Sequence, residues 1–246
     1  MLGVVITNHY NEENRPYGRA LLRHCIETLR ENCTTPCEIF VVDNESDDQL
    51  DPSELGIHYK YIDDQSVGGL TYAWNTGIKM AYDFGCDIIF NVNDDITFDE
   101  SINSLVEVLE SHEEKVHAVY GPVTNQDGTS TPHQWRESAG GDILDATHME
   151  FKGEHQGYAI NGFFYAFTKE CWEKYQVDGN FFSTDIREAW GGQEEEFHCR
   201  NWPKGLKSYI VETCYVEHTK LMDWKKAREK YNHPKRTKPY WEYEYE

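Results

Sequence analysis

Apolar positions along the first hundred residues switch between two periods. Residues 2–7 form an apolar, β-branched run, and 38–42, 59–62 and 87–92 are three more, each bounded by polar residues. Such runs predict buried strands. Between them the spacing becomes helical. Leu21, Leu22, Cys25, Ile26 and Leu29 share a face over 20–32. Leu70, Trp74, Ile78 and Ala81 share one over 70–84, and Ile102, Leu105, Val106 and Leu109 share one over 100–112. Strands that alternate with helices predict a parallel sheet covered on both faces. Ligands of such sheets sit outside the carboxyl ends of the strands. Thr7-Asn8-His9, Asp43-Asn44 and Asn93-Asp94-Asp95 end three of these strands, and they are expected to converge on one crevice.

The second half has a different pattern. Residues 121–157 are rich in Gly, Thr, Ser, Asp and His, with Gly140-Gly141 among them, and are expected to form long loops over a site. Residues 158–172 return to apolar and aromatic character around Asn161-Gly162-Phe163-Phe164. Gly191-Gly192 then introduces Glu194-Glu195-Glu196 and a helical pattern from Phe197 to Trp202. A short apolar strand over 209–216 is followed by His218. Neither an internal repeat nor a linker is visible, so one domain is expected.

Charge narrows the function classes. The 246 residues carry 23 Lys plus Arg against 44 Asp plus Glu, so the net charge is 23 − 44 = −21. That balance argues against a general nucleic-acid or anionic-membrane binder, because both are polyanions. At 14 % aromatic residues the chain is not a disordered acidic polymer. An anionic substrate would need positive charge supplied locally. The one basic stretch lies at 220–240, with Lys220, Lys225, Lys226, Arg228, Lys230, Lys235, Arg236 and Lys238. No run approaches 18 apolar residues, so no transmembrane helix is expected. The N-terminus has no basic region before its apolar run and reads as a first strand, not a signal peptide. The seven cysteines are odd in number and scattered, which predicts reduced thiols and a cytoplasmic location.

Three groups of residues carry candidate chemistry. Asn93-Asp94-Asp95 ends an apolar strand. Carboxylates at a ligand edge, in an already acidic chain, suit a hard divalent cation that is completed by phosphate oxygens; an Asp pair that caps the next element is the alternative. Strand alternation sends residues 93 and 95 to one side and Asp94 to the other. Second is Trp190-Gly191-Gly192-Gln193-Glu194-Glu195-Glu196-Phe197. A carboxylate after a Gly-Gly turn can serve as a general base, or the run can be a solvated helix start favoured by the helix dipole. Third is His218, whose imidazole can complete a Mn²⁺ shell or be structural.

In order and spacing these segments resemble the GT-A nucleotide-sugar glycosyltransferases, most closely the family 2 type, over roughly residues 2–220. Residues 4–11 resemble the family's first strand and nucleotide loop, and residues 41–48 its second strand. Residues 67–77 are similar to the helix before the metal strand, and Asn93-Asp94-Asp95 stands at the DXD position. The 190–196 run is similar to the Trp-Gly-Gly-Glu-Asp-Asp motif of β-galactosyltransferase-type enzymes. Here Gln193 replaces a usual Glu, and Glu194 replaces a usual Asp, so its carboxylate reaches about one methylene further.

The resemblance implies a single α/β domain with a central, mostly parallel, Rossmann-like sheet flanked by helices. It implies a domain over 1–220, with a nucleotide-binding half at 1–98 and a catalytic half at 99–220, followed by a basic-aromatic tail at 221–246. Nucleotide-sugar contacts are implied at Thr7, His9, Tyr10, Asp43, Asn44, Gly69, Asn75, Asn93 and Asp94. A Mn²⁺ or Mg²⁺ is implied on Asp95 and His218. Glu194 is implied as catalytic base, with acceptor contacts at Glu195, Trp190, Asn161 and Gly162. The implied activity is inverting transfer of a sugar from a nucleoside-diphosphate sugar, UDP first among them, to a hydroxyl of a glycan or glycoconjugate. Two rivals stand beside it. A sugar-1-phosphate nucleotidyltransferase would need a basic glycine-rich loop where this chain has Asn11-Glu12-Glu13-Asn14. A non-catalytic glycan- or nucleotide-sugar-binding module would show no transfer.

Overall fold

The computed structural model describes residues 1–13, 15–63, 69–124, 134, 141–147, 150–151, 155–156, 160–184 and 193–219. The alternation read from the first half is realised element by element. Strands β1 (Leu2–Asn8), β2 (Cys37–Asn44), β3 (His58–Ile62) and β4 (Ile88–Asn93) are joined through helices α1 (Gly18–Asn32) and α2 (Gly69–Phe84). They pair in parallel in the order β3-β2-β1-β4. All seven residues of β1 are buried, as a strand between two helical layers requires.

The remaining sheet strands are β5 (Ile96–Phe98), β6 (Ala118–Thr124), β7 (Ile143–Asp145), β10 (Phe164–Thr168) and β11 (Lys207–His218), with α3 (Ile102–Ser111), α4 (Lys169–Tyr175) and α5 (Gln193–Asn201). Strands β8 (Glu150–Phe151) and β9 (His155–Gln156) make a separate small ribbon. The sheet continues from β4 as β10-β6-β11-β5. Strand β10 runs antiparallel to β4 and β6, β11 runs parallel to β6, and the short β5 and β7 pair antiparallel to β11. The result is a mixed α/β domain with a central, mostly parallel sheet, the GT-A arrangement. Among the described residues no helix is long and apolar enough to cross a membrane.

The structure departs from expectation in two places. The segment 121–157, expected to form long loops, holds the buried end of β6 at 121–124 and the short strands β7, β8 and β9. Gly121 is there because a Cβ would stand 2.7 Å from Gln134 Nε2 and 2.9 Å from Ile160 Cγ2, so the glycine marks a close approach. Strand β11 spans twelve residues instead of eight and carries His218 as its last member.

Side-chain alternation sorts the sheet into two layers. Leu2, Val4, Ile6, Ile39, Val41, Phe90 and Val92 pack with Leu22, Cys25, Ile26 and Leu29 of α1. Val5, Phe40, Ile89, Tyr165 and Phe167 pack with Trp74, Ile78 and Ala81 of α2. At Gly77 a Cβ would lie 2.2 Å from Val5 Cγ1, so glycine lets α2 settle directly on β1.

Candidate active site

The same alternation decides where each strand-end polar residue goes. Asn8 and Asp43 follow Ile6 and Val41 onto the α1 face. Thr7, Asn44 and Asn93 follow Val5, Val42 and Ile89 onto the α2 face. Register keeps them adjacent: Asn8 stands opposite Asp43, and Thr7 opposite Asn93.

On the α1 face the groups form a closed ionic lattice. Asp94 accepts from Asn8 Nδ2 at 2.5 Å and from Arg15 Nη1 and Nη2 at 2.6 and 2.5 Å. Such a fork-to-carboxylate pair is the strongest geometry available to an ion pair. Arg15 also donates to the His9 carbonyl at 2.8 Å. Burial pulls the Arg15 guanidinium down, but the Asp94 charge outweighs it and holds it above its ordinary value. One helical turn on, Arg19 donates to Asn8 Oδ1 at 2.5 Å, to Asp43 Oδ2 at 2.8 Å and to the Asp48 carbonyl. Asp43 accepts further from the Ser46 hydroxyl and from Tyr59 Oη at 2.7 Å. Burial first, then that hydrogen bond, pushes the Tyr59 phenol up. Each aspartate therefore takes three donors, close to what a carboxylate can accept, and Asp43 is wholly inaccessible.

The α2 face differs. Thr7 Oγ1 and Asn44 Oδ1 are buried with no hydrogen-bond partner. Buried acceptors left this way are uncommon. The Asn44 main-chain carbonyl is satisfied by His9 Nδ1 at 2.8 Å; burial pulls His9 below its ordinary value, so the neutral ring donates. Tyr10 is tied by its backbone N–H to Ser46 Oγ at 2.8 Å. Gly69 opens α2 at φ +54°, a left-handed conformation natural to glycine. Asn75 is turned elsewhere. Its Oδ1 accepts from Phe181 and Phe182 N–H at 3.1 and 3.0 Å, and its Nδ2 donates to the Phe182 carbonyl at 2.8 Å.

Beyond β4 the chain turns, and Asp94 and Asp95 part as alternation predicts. Asp95 Oδ1 lies 3.2 Å from His218 Nε2, both side chains nearly buried. That separation is an ion-pair distance, and the same carboxylate and imidazole would be suitable ligands for one divalent cation. Among the described residues no group of three or more Asp, Glu, His or Cys is arranged to hold a metal. The Phe163 ring stacks on His218 at 4.9 Å, and the Phe163 carbonyl accepts from Asn93 N–H at 2.9 Å.

The neighbouring residue ties this corner to the acidic run. Gly162 N–H donates to Glu194 Oε1 at 2.9 Å. A Cβ at 162 would meet that oxygen at 2.4 Å and Trp74 Cη2 at 2.6 Å, so only glycine admits the carboxylate. The three glutamates do not form a solvated helix start. Glu194 turns in to Gly162, Glu196 pairs with Arg200 at 2.7 Å, and Glu195 is half-buried. Arg200 in turn donates to the Tyr175 and Phe181 carbonyls at 3.2 and 3.0 Å. Asn161 presents its N–H to Gln134 Oε1 at 2.8 Å. Trp190 and the basic tail from Lys220 lie outside the described residues.

Sequence reasoning missed Arg15, Arg19, Gln134 and Arg200. The first two had a signal: arginines four residues apart just after the first strand's loop, where α1 begins.

The family model described as Glycosyl transferase family 2 matches residues 4–179. Solved structures share the fold. GalNAc-T7 with UDP, GalNAc and Mn²⁺ has a TM-score of 0.64 at 14 % identity over 91 % of this chain. S. aureus TarS 1–349 has a TM-score of 0.59 at 12 % identity in complex with UDP, and 0.60 at 14 % in complex with UDP-GlcNAc, each over 89 % of this chain. The chain spans 44 % of the GalNAc-T7 chain and 60 % of the UDP-bound TarS chain. Among curated proteins none matches by sequence.

Proposed function

Because the chain belongs to glycosyltransferase family 2, we propose that it transfers a sugar from a nucleoside-diphosphate sugar, UDP-linked first among them, to a hydroxyl of a glycan or glycoconjugate, with inversion at the anomeric carbon. One observation carries this reading. Residues 161–163 join the strand-end Asn93–Asp95 corner and His218 to a single buried carboxylate, that of Glu194.

In this reading the unpartnered acceptors of Thr7 and Asn44 receive the nucleoside, and Asn44 takes the nucleotide-contacting role expected of Asp43, whose carboxylate is already occupied. Asp94 and Asp43 serve as counter-ions that hold Arg15 and Arg19. Asp95 and His218 would hold a Mg²⁺ or Mn²⁺, which when bound neutralises charge on the diphosphate; the Mn²⁺ of the GalNAc-T7 structure is consistent with that use. Glu194, oriented by the Gly162 N–H, takes the proton of the acceptor hydroxyl as its oxygen attacks the anomeric carbon. The bond from that carbon to the diphosphate oxygen breaks, and the electron pair leaves with the nucleoside diphosphate. Glu195 and Asn161 line the acceptor side.

The test is a transfer assay over UDP-, GDP- and dTDP-sugars with Mn²⁺. E194Q is expected to lower kcat by about 10²- to 10⁴-fold, while the donor still raises the melting midpoint through mass action. Loss of activity in E195Q with E194Q active would name the wrong carboxylate. Full activity of D95A in chelator would remove the metal. Donor binding without transfer would favour the binding module.

A further inference from the structure

Behind Glu194 lies a set of buried polar side chains that the proposed reaction does not use. Glu194 and His198 are one helical turn apart on α5 and so share its inward face. His198 Nε2 lies 2.9 Å from Tyr165 Oη on β10, and His198 Nδ1 lies 3.2 Å from Ser208 Oγ on β11. Tyr165 Oη donates its one hydrogen to the Ile160 carbonyl at 3.0 Å. The proton roles follow from those partners. With its hydrogen given to Ile160, the tyrosine oxygen accepts from Nε2–H, and Nδ1 accepts from the serine hydroxyl. Burial pushes the His198 pKa down to about 3, so the imidazole stays neutral throughout the working range.

These contacts close a ring: from α5 at His198, through Tyr165, to the Ile160 carbonyl, along the backbone to Gly162 N–H, and back to α5 at Glu194. The Asn161 N–H is fixed to Gln134 Oε1, and Gln134 Nε2 donates to the Pro122 carbonyl at 3.0 Å. The 160–162 turn cannot rotate without breaking a bond in a site where an unmade bond is costly.

We propose that His198 and Tyr165 are positioning residues for the Glu194 carboxylate: they clamp the Ile160 carbonyl, and through it aim the Gly162 N–H that orients the base. The proposal rests on the transferase reading for its kinetic consequence and on the hydrogen-bond ring alone for its structural one.

The test uses Y165F, which deletes only the hydroxyl, H198L, which deletes the donor, and H198Q, whose amide restores a donor at the Nε2 position. Misplacement of a reacting group by an ångström lowers rate by about a hundredfold. Y165F and H198L are therefore expected to lose ~10- to 100-fold in kcat with the donor KM within about twofold, and H198Q to recover most of the loss. Exchange of the Gly162 amide hydrogen should quicken at least ~10-fold in Y165F while that of Ile89 in β4 is unchanged. S208A leaves the ring pair in place; it is expected to act in the same direction by about threefold and serves should Y165F fail to fold. Wild-type exchange at Gly162 in Y165F and S208A would overturn the clamp, as would equal losses in H198Q and H198L. A wild-type chain that transfers no sugar would overturn the transferase reading alone, because the exchange measurement stands without it.

Discussion

The two faces of the sheet edge are built from the same kinds of residue and hold them in opposite states. On the α1 face, Asn8, Asp43 and Asp94 have their polar atoms met by Arg15, Arg19, Ser46 and Tyr59. On the α2 face, Thr7 Oγ1 and Asn44 Oδ1 have no partner, and the nearby carboxylate of Glu194 is held by a backbone N–H. An acidic residue at a strand end is thus not a ligand-binding residue by type. A carboxylate whose lone pairs are filled from within the chain keeps two arginines and a loop in place. An acceptor buried without a partner is what a ligand can satisfy. Both arginines described at the crevice, Arg15 and Arg19, are already balanced by Asp94 and Asp43.

Four measurements test this contrast. The largest effect is expected for Arg15→Ala, which strands the nearly inaccessible Asp94 without its bidentate partner. Removing one member of a buried pair costs about 3–5 kcal/mol, to be read by urea unfolding. A loss under about 1 kcal/mol would mean the α1 lattice is not structural.

Next comes acid pH, which separates a neutral network from an ionic one. Burial pushes His198 down from its ordinary 6.5 to about 3. The unfolded chain then binds a proton the folded chain refuses, so this contribution is complete above pH 6.5 and is lost as pH falls. The slope is roughly 1.4 kcal/mol per pH unit between about pH 6 and 4. H198Q should flatten the fall by that amount in a series of unfolding curves; an unaltered slope would show that His198 is not kept neutral by burial.

Smaller again is Asn44→Ala. Its stability should stay within about 1 kcal/mol, and affinity for UDP should fall about tenfold, the worth of one good hydrogen bond, by calorimetric titration. Unchanged affinity would remove Asn44 from the nucleoside site. The smallest change belongs to Asp83→Asn, which breaks the exposed pair with Lys79 at 2.7 Å. A surface pair of this kind shifts stability by at most about 0.5 kcal/mol. A larger shift would erase the distinction between the buried lattice and ordinary surface charge.

Much of the fold was legible because its signals are local. The apolar runs at 2–7 and 87–92 and the helical spacing of Leu22, Cys25, Ile26 and Leu29 predict elements whose bounds the structure moves by one or two residues. The polar, glycine-rich composition of 121–157 hides the end of β6 at 121–124, where the glycine admits Gln134 and Ile160. Of the candidate site, the strand-end triplet and the acidic run stand out by position. Asn75 stands out too, yet its carboxamide holds the Phe181–Phe182 backbone, a partner more than a hundred residues away that no local pattern announces.

The alternating α/β order, the family and the strand ends at which polar residues gather are all legible in the chain alone, because side-chain period and turn chemistry act over a few residues. Which partner each of the clustered acids takes is a matter of packing. Asp43 faces Arg19 on α1, Asp94 faces Arg15 just before it, Glu196 faces Arg200, and Glu194 faces Gly162. Those assignments depend on sheet register and on which helix covers which face, and both are set by packing between segments far apart in the chain.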